Sequence, residues 1–593
     1  MIIAVDIETK GLDARNFILG CLIDEDGNKR VFYNKKDLWS YIINLGKKMG
    51  ERKKVLSVYS HNASYDFYGY ADLSDRNIKF YNHNPFIAVY IDKGKEIIKF
   101  LDSIGIYKMS LRAVGEIIGI PKMEMPLELV NGKKVDLEKV KEYCFNDCLI
   151  CLESVKLLKE KMKEQEVQVK RIYTISQVAI NYLLTKMSRM KGYEDLFFNV
   201  ERKMILRCKY PHLIHEAYRG GRCECFKTGI FEGINSIDVN NLYGYASMVM
   251  KFPDLKSESY VSKPLTLYRV DEWLGKIGVS RAMLYNEKDD IGLLPIRTDD
   301  GSYYPKAGKY VIGTWTNDEL KKAIEVGWKL IHIAWGVSWD EHENPFKEII
   351  SELYELRTKS KDKFDYWFFK QLQNHPFGKM AQRKKSREMI LDSVEKFQEY
   401  TDNGFKAEKS FGYNYLYVRE LENKKKRYYV PIIPTLINAK ARVLMYDYYK
   451  KIGIDKLIYT DTDSIMFKGK NFEGLNIGKE IGRFKIVDVG EEAIVYGKKT
   501  YMIGNKNKIS GIRKLGVTNE DFKAGEVEDL KMMTINNCIT MSELGGFKSE
   551  KRDLRLQTEK LEELQKEFCN TKVFKDKDII DLGGFVGYLN KVG

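Results

Sequence analysis

The chain opens on an apolar strand carrying two acids, Val5-Asp6-Ile7-Glu8-Thr9, and no other feature restricts its N-terminal part as tightly. Residues two apart on a strand project from one face, so Asp6 and Glu8 point at the same spot. The run Met1-Ile2-Ile3-Ala4-Val5 reads as a buried strand rather than a signal or transit peptide, since cleavage would remove the strand. Strands and helices then alternate. Strands are expected over Ile2–Ile7 and Val55–Tyr59, a helix over Asp37–Leu45, a hairpin over Phe86–Asp102 and a long helix over Val140–Lys163. This pattern predicts an α/β domain ending near residue 170, followed by a helical connector, Ile172–Met190.

The full 593 residues are too many for one hydrophobic core, so several domains are expected. Downstream, a strand over Ser236–Val239 leads into a helix, and Pro253–Glu343 is rich in strands and turns. Helical pattern returns over Pro345–Gln382, and Arg383–Tyr429 is polar, Lys-rich and β-leaning. A strand pair surrounds Leu457–Phe467, and a charged amphipathic helix is expected over Lys551–Phe568.

Lys and Arg outnumber Asp and Glu by 99 to 84, a surplus that suits a polyanionic partner. With 38 Tyr, 28 Phe and 7 Trp, aromatic faces lie among the cations and can stack on unpaired bases, although most belong in cores. The 9 cysteines form no disulfide or zinc framework; Cys144, Cys148 and Cys151 follow one helical face and read as buried thiols. No apolar run is long enough to span a membrane, and a cytoplasmic location is expected.

Two further segments resemble the first acid pair in chemistry. In His61-Asn62-Ala63-Ser64-Tyr65-Asp66 and Tyr143-Cys144-Phe145-Asn146-Asp147, the outer polar residues Asn62/Asp66 and Tyr143/Asp147 are four apart and share a helical face. Singly, each also fits a cap or a solvated helix face. Together they supply Asp6, Glu8, Asp66 and Asp147, hard oxygen donors for Mg²⁺ or Mn²⁺, with Tyr143 one turn before Asp147 to orient a water.

A second acid set lies in the other half. Tyr459-Thr460-Asp461-Thr462-Asp463 forms a hairpin tip able to present Asp463, with Asp461 beside it, to a metal; an ordinary polar turn is the plainer alternative. The Ser236–Val239 strand delivers Asp238, and Tyr243 five residues later can sit beneath a nucleotide sugar. Lys370, Asn374 and Phe377 share one helical face, suited to a triphosphate and a base. Lys499-Thr500-Tyr501 sets a cation and an aromatic on one strand face.

In order and residue type, these segments resemble the family B DNA polymerases. D-x-E, N-x3-D and Y-x3-D are that family's proofreading motifs, and Tyr218-Arg219-Gly220-Gly221 resembles its loop between the exonuclease and polymerase domains. The resemblance implies Asp6, Glu8, Asp66 and Asp147 as exonuclease metal ligands, with Lys122 assisting and Asn62, Ser110 and Leu111 gripping the single-stranded 3′ end. It implies Asp238, the Val239 backbone and Asp463 as polymerase metal ligands aided by Asp461, with two Mg²⁺ or Mn²⁺ ions at each site. Tyr243, Lys370, Asn374, Phe377 and Arg357 would bind nucleotide, and Tyr218–Gly221, Lys499 and Tyr501 would bind DNA. The helix reads Asn374-His375-Pro376-Phe377-Gly378 where the family has N-S-x-Y-G, so Pro376 should kink or loosen it. Gly244 stands where the phage enzymes often have proline.

The gaps flanking Lys370 are enlarged, which resembles the protein-primed branch typified by small linear-genome bacteriophages of the phi-twenty-nine type. The implied fold combines α/β and α+β parts: a ribonuclease H-like 3′→5′ exonuclease, then a right-hand polymerase with two terminal-protein-region insertions. The expected boundaries are exonuclease 1–170, palm 171–252, first insertion 253–343, fingers 344–382, second insertion 383–429, palm 430–514 and thumb 515–593. The implied function is processive, strand-displacing replication of a linear viral genome by a monomer. Its implied partners are template and primer DNA, dNTPs, a priming terminal protein and a single-stranded DNA-binding protein. Rival readings are a polymerase using only nucleic-acid primers, a nuclease whose second half holds DNA, and a non-enzymatic single-strand binder.

Overall fold

The computed structural model describes the chain except residues 12, 15, 74, 76, 84, 127–135, 170, 192, 194–208, 262–269, 299–300, 383–387, 392–397, 400, 403–404, 411–415, 421–428, 470–471, 510–517, 533–546 and 556–593. Met1–Glu194, Ser351–Tyr429 and Leu530–Ser549 form one compact unit; Asp195–Ile350, Val430–Asp529 and Glu550–Gly593 form another. Among the described residues, no helix is long and apolar enough to cross a membrane.

The first unit is built on the opening strand, Ile2–Thr9. It pairs in parallel with Leu56–Ser60 and antiparallel with Phe17–Asp24, and Leu56–Ser60 pairs in parallel with Lys95–Asp102. Strands inside such a sheet are covered on both faces, which is why Ile2, Ile3, Ala4 and Val5 are all apolar. The helix Lys35–Glu51 contributes Trp39, which stacks on Phe100 at 5.8 Å, in a core with Phe67, Phe80 and Phe86. The long helix Leu137–Glu164 packs on Ile2–Thr9 and Phe17–Asp24 and carries Tyr143 and Asp147 to them.

Two later segments join this unit. Glu388–Leu391 continues the sheet beyond Ile78–His83 through the pairing Glu388↔Phe80, and Leu416–Glu420 and Phe405–Ser410 extend it to ten strands. The described parts of 383–429 are thus mostly β-structure, with helical residues at 398, 399, 401 and 402. The helices Lys363–Asn374 and Pro376–Met380 pack on Ile175–Met187. The first of them stops at Asn374 and a separate short helix starts at Pro376, because proline has no N–H to continue the ladder. Lys370 and Phe377 therefore belong to different helices, contrary to the single face expected from spacing.

The second unit centres on a seven-stranded antiparallel sheet. Its order is Lys506–Lys508, Thr500–Ile503, Phe484–Gly497, Gly229–Val239, Ser464–Lys468, Leu457–Asp461, Cys223–Cys225. Ile432–Ile452, a 21-residue helix with little amphipathic signature and many buried positions, packs against Leu242–Val249. The stretch 253–343 holds a four-stranded antiparallel sheet and the helix Asn317–Glu325, whose start is closed by a Thr316/Glu319 capping box.

The helix expected over Lys551–Phe568 is corrected at its start. Lys551–Asp553 finish a strand, Phe547–Asp553, in which Arg552 reaches the buried Asp529 at 3.0 Å; this ion pair holds the segment extended. The rest of that expected helix lies outside the described residues, as does much of the expected thumb.

Candidate active sites

In the first unit, Asp6 and Glu8 leave the same face of Ile2–Thr9, and Asp147 faces them from the long helix. Asp66 comes from the helix Ala63–Tyr70, where its Oδ1 accepts the Ile7 N–H at 3.1 Å. That helix starts at Asn62, held left-handed (φ 69°), and the buried Asp102 accepts the N–H groups of Asn62 and Ile104 at 3.0 Å each. Lys122 ion-pairs with Asp147 and lies 4.2 Å from the Tyr143 ring centroid. Ser110 caps the helix Leu111–Ile118 by accepting the Ala113 N–H, and Leu111 is buried.

Burial and the negative charge of Asp147 push the Asp6 carboxyl up to about 7, with Lys122 opposing. Glu8 and Asp66 are raised well above their ordinary range by burial and then by Asp6, and Asp147 is raised by burial. Asp147 Oδ1 is buried and has no hydrogen-bond partner among the described residues. Carboxylate oxygens of Asp6 and Glu8 and the Cys144 sulfur fall within 4.8 Å of one another, but the thiol donates to the Asp6 carbonyl at 3.3 Å. What remains is a crowded all-oxygen donor set short of positive charge, which fits hard divalent cations.

A group whose folded pKa exceeds its unfolded value adds stability at low pH and loses it as pH rises through the folded value. Asp6→Asn is therefore expected to raise the melting temperature of the metal-free protein at pH 8, by roughly a few degrees. The gain should shrink as pH falls below about 7. Thermal denaturation in EDTA across pH measures it, and a pH-independent difference would reject the crowding of charge.

In the second unit, Asp238 lies beside Ser464 on one neighbouring strand and Lys485 on the other. Asp461 ends its strand, and Thr462 turns the chain with φ 67° before Asp463. The Val239 N–H donates to the Asp463 carbonyl at 2.8 Å, tying the two acid-bearing segments together. Burial, then Asp238 and Asp461, push the Asp463 carboxyl up to about 6. Lys485 meets Asp238 at 2.9 Å, while Lys508 and Lys499 meet Asp461 at 2.7 and 3.8 Å. The three acids line a groove of ~620 Å³ shared with Tyr501, Lys506 and Lys508. Cations already gather on this oxygen set, so it too fits divalent ions.

Residues 91–452, more than half of the chain, match the family described as DNA polymerase type B, organellar and viral. The chain belongs to that family. A probable DNA polymerase of Agaricus bitorquis is 22% identical over 512 residues, 79% of this chain; the chain spans 59% of that relative's length. Phi29 DNA polymerase shares the fold at TM-score 0.68 and 16% identity, over 93% of this chain and 99% of that enzyme. The phi29 enzyme complexed with primer-template DNA and incoming nucleotide gives 0.67 at 16% identity, with the same coverage. Dependence on divalent metal ions comes with the family.

Other expected positions of this chain turn out differently. Arg219 does not face outward: its guanidinium is buried and donates to the Thr314 carbonyl at 2.8 Å. Lys499 is not on a strand face but in the two-residue turn joining Phe484–Gly497 to Thr500–Ile503, at φ 60°. Phe377 is buried, Lys370 is exposed, Asn374 is half-buried, and Arg357 donates to Gln373 Oε1 at 3.1 Å. Tyr218 stacks on His215 at 5.6 Å. Where proline was the family alternative, the Gly244 N–H donates to Asn241 Oδ1 at 3.1 Å, a bond proline lacks. Lys485 and Lys508 were missed, having no motif. Arg442 was missed as well, although an arginine among Ala439, Met445 and Tyr449 on an apolar helix is a visible anomaly.

Proposed function

We propose that this chain is a DNA-directed DNA polymerase with a 3′→5′ proofreading exonuclease, working with Mg²⁺ or Mn²⁺. The observation carrying the synthetic half is that Asp463, in the turn just before Ser464–Lys468, and Asp238, on the strand paired with Ser464–Lys468, line one groove with Asp461. A separate four-carboxylate cluster in the other unit supports the nuclease half.

Asp238 and Asp463 hold the ions of the polymerase site, with the Val239 backbone beside them and Asp461 assisting. Bound there, two divalent ions supply charge stabilisation to the attacking and leaving oxygens of the phosphoryl transfer. The primer 3′-hydroxyl attacks the α-phosphate of a dNTP and pyrophosphate leaves. Tyr243 closes the sugar edge of the nucleotide site, and Lys370, Asn374, Phe377 and Arg357 serve the nucleotide from their own helices. Tyr501 and the Lys499 turn, together with the backbone of Tyr218–Gly221, hold DNA. At the other site, Asp6, Glu8, Asp66 and Asp147 hold metal. Tyr143 orients the attacking water, Lys122 neutralises Asp147, and Asn62, Ser110 and Leu111 receive the single-stranded end.

The fold shared with phi29 DNA polymerase and the two insertions, 253–343 and 383–429, favour initiation on a Ser, Thr or Tyr hydroxyl of a terminal protein. In this reading the chain works as a monomer in host cytoplasm on a linear viral genome. A single-stranded DNA-binding protein covers the displaced strand, and the expected domain boundaries apply. Given a primer–template, dNTPs and Mg²⁺, the chain should lengthen the primer; given no dNTPs, it should shorten it. Shortening under both conditions would leave a nuclease only. With a cognate terminal protein and labelled dNTP, a covalent protein–nucleotide product is expected, and its absence would restrict the enzyme to nucleic-acid primers.

A further inference from the structure

Arg442 and Glu319 form a fully buried ion pair whose side chains are 2% and 0% exposed. Burying two charges is costly, and such pairs rarely add net stability. The geometry indicates what this one holds. Arg442 Nε and Nη2 donate to Glu319 Oε1 at 2.9 and 2.7 Å, and Nη1 donates to the carbonyls of Arg219 and Gly220 at 2.7 and 2.8 Å. Glu319 is itself fixed, because its Oε2 accepts from the Thr316 N–H and hydroxyl at 3.1 and 3.0 Å. A rigid guanidinium fork, anchored on one side, thus grips two successive carbonyls of the Tyr218–Gly221 loop on the other.

That loop touches the polymerase site at two points. A side chain at Gly221 would meet Thr462 Cγ2 at 2.7 Å and its Cα at 3.1 Å, so the Gly221 backbone rests on the turn between Asp461 and Asp463. The half-buried Tyr243 phenol faces the Gly221 backbone.

We infer that Arg442 and Glu319 are positioning residues that set nucleotide sugar selection, by clamping the loop that rests on the Asp461–Asp463 turn and faces Tyr243. The helix Asn317–Glu325 of the first insertion then serves discrimination inside the polymerase, besides any contact with a primer protein. The inference rests on the reading of Tyr243 as the residue at the sugar edge.

Arg442→Lys keeps the charge facing Glu319 but loses the fork that spans both carbonyls. The efficiency of ribonucleotide relative to deoxyribonucleotide incorporation, opposite one template base, is compared in the parent, Arg442→Lys, Glu319→Gln and Tyr243→Val. Exonuclease activity on single-stranded DNA reports folding. Misplacing a positioning contact by about 1 Å can change rates by up to ~100-fold, so Arg442→Lys should raise the ratio by roughly tenfold or more. Glu319→Gln, which can still accept from Thr316, should raise it too. That second variant decides the matter if Arg442→Lys also loses the exonuclease. A purely structural role would lower both incorporations equally; an unchanged ratio in Arg442→Lys and Glu319→Gln, with a raised one in Tyr243→Val, overturns the inference alone. An unchanged ratio in Tyr243→Val removes the sugar-edge reading, and the inference with it.

Discussion

Asp463→Ala should lower primer extension by about three orders of magnitude while leaving digestion of single-stranded DNA within twofold. Asp463 is held above its ordinary range by burial and by Asp238 and Asp461, so folding places negative charge where charge is unfavourable without a cation. Removing the carboxylate relieves that crowding, so the variant should fold at least as well as the parent. Its loss would then be chemical. Asp238→Ala should behave alike, although it also releases Lys485. Single-turnover extension of a labelled primer measures both. Extension by Asp463→Ala within tenfold of the parent would show that the Asp238–Asp463 groove is not where nucleotides are joined.

Asp66→Ala should have a comparable effect, roughly three orders of magnitude, on the exonuclease, with extension retained. Here the side chain has a second task, because its Oδ1 also accepts the Ile7 N–H. Asp66→Asn separates the two: the amide oxygen can keep that bond while the charge is lost. If metal binding is what Asp66 supplies, Asn should fail as completely as Ala. A largely active Asn variant would assign Asp66 to holding the Ile2–Thr9 strand in place. The readout is release of 3′ mononucleotides from a labelled single strand, with misincorporation rising in parallel.

Local chemistry made both acid sets legible in the sequence. Asp6 and Glu8 obey the period of a strand, Tyr143 and Asp147 that of a helix, and Asp461 and Asp463 flank a turn; each needs only its neighbours to be read. What escaped the sequence depends on contacts between distant segments. The Ile432–Ile452 helix lacks a polar face to mark its period, because the surrounding structure covers so much of it. Arg219 looks like a phosphate contact until the Thr314 carbonyl captures it. Lys499 looks like a strand residue until the pairing of Gly497 with Thr500 leaves only two residues for the turn. Lys508 reaches Asp461 across the sheet from 47 residues away, a distance no motif spans. The start of the Lys551–Phe568 segment failed similarly, since Asp529 draws Arg552 into a strand that its composition does not favour.

The claim beneath all of this is that two separate pockets gather acids from distant stretches of chain around divalent ions. Anomalous scattering from crystals grown with Mn²⁺, primer–template and a non-hydrolysable nucleotide tests it directly. The account predicts manganese between Asp238 and Asp463, and again among Asp6, Glu8, Asp66 and Asp147. A filled nucleotide site with no manganese touching Asp238 or Asp463 would contradict it.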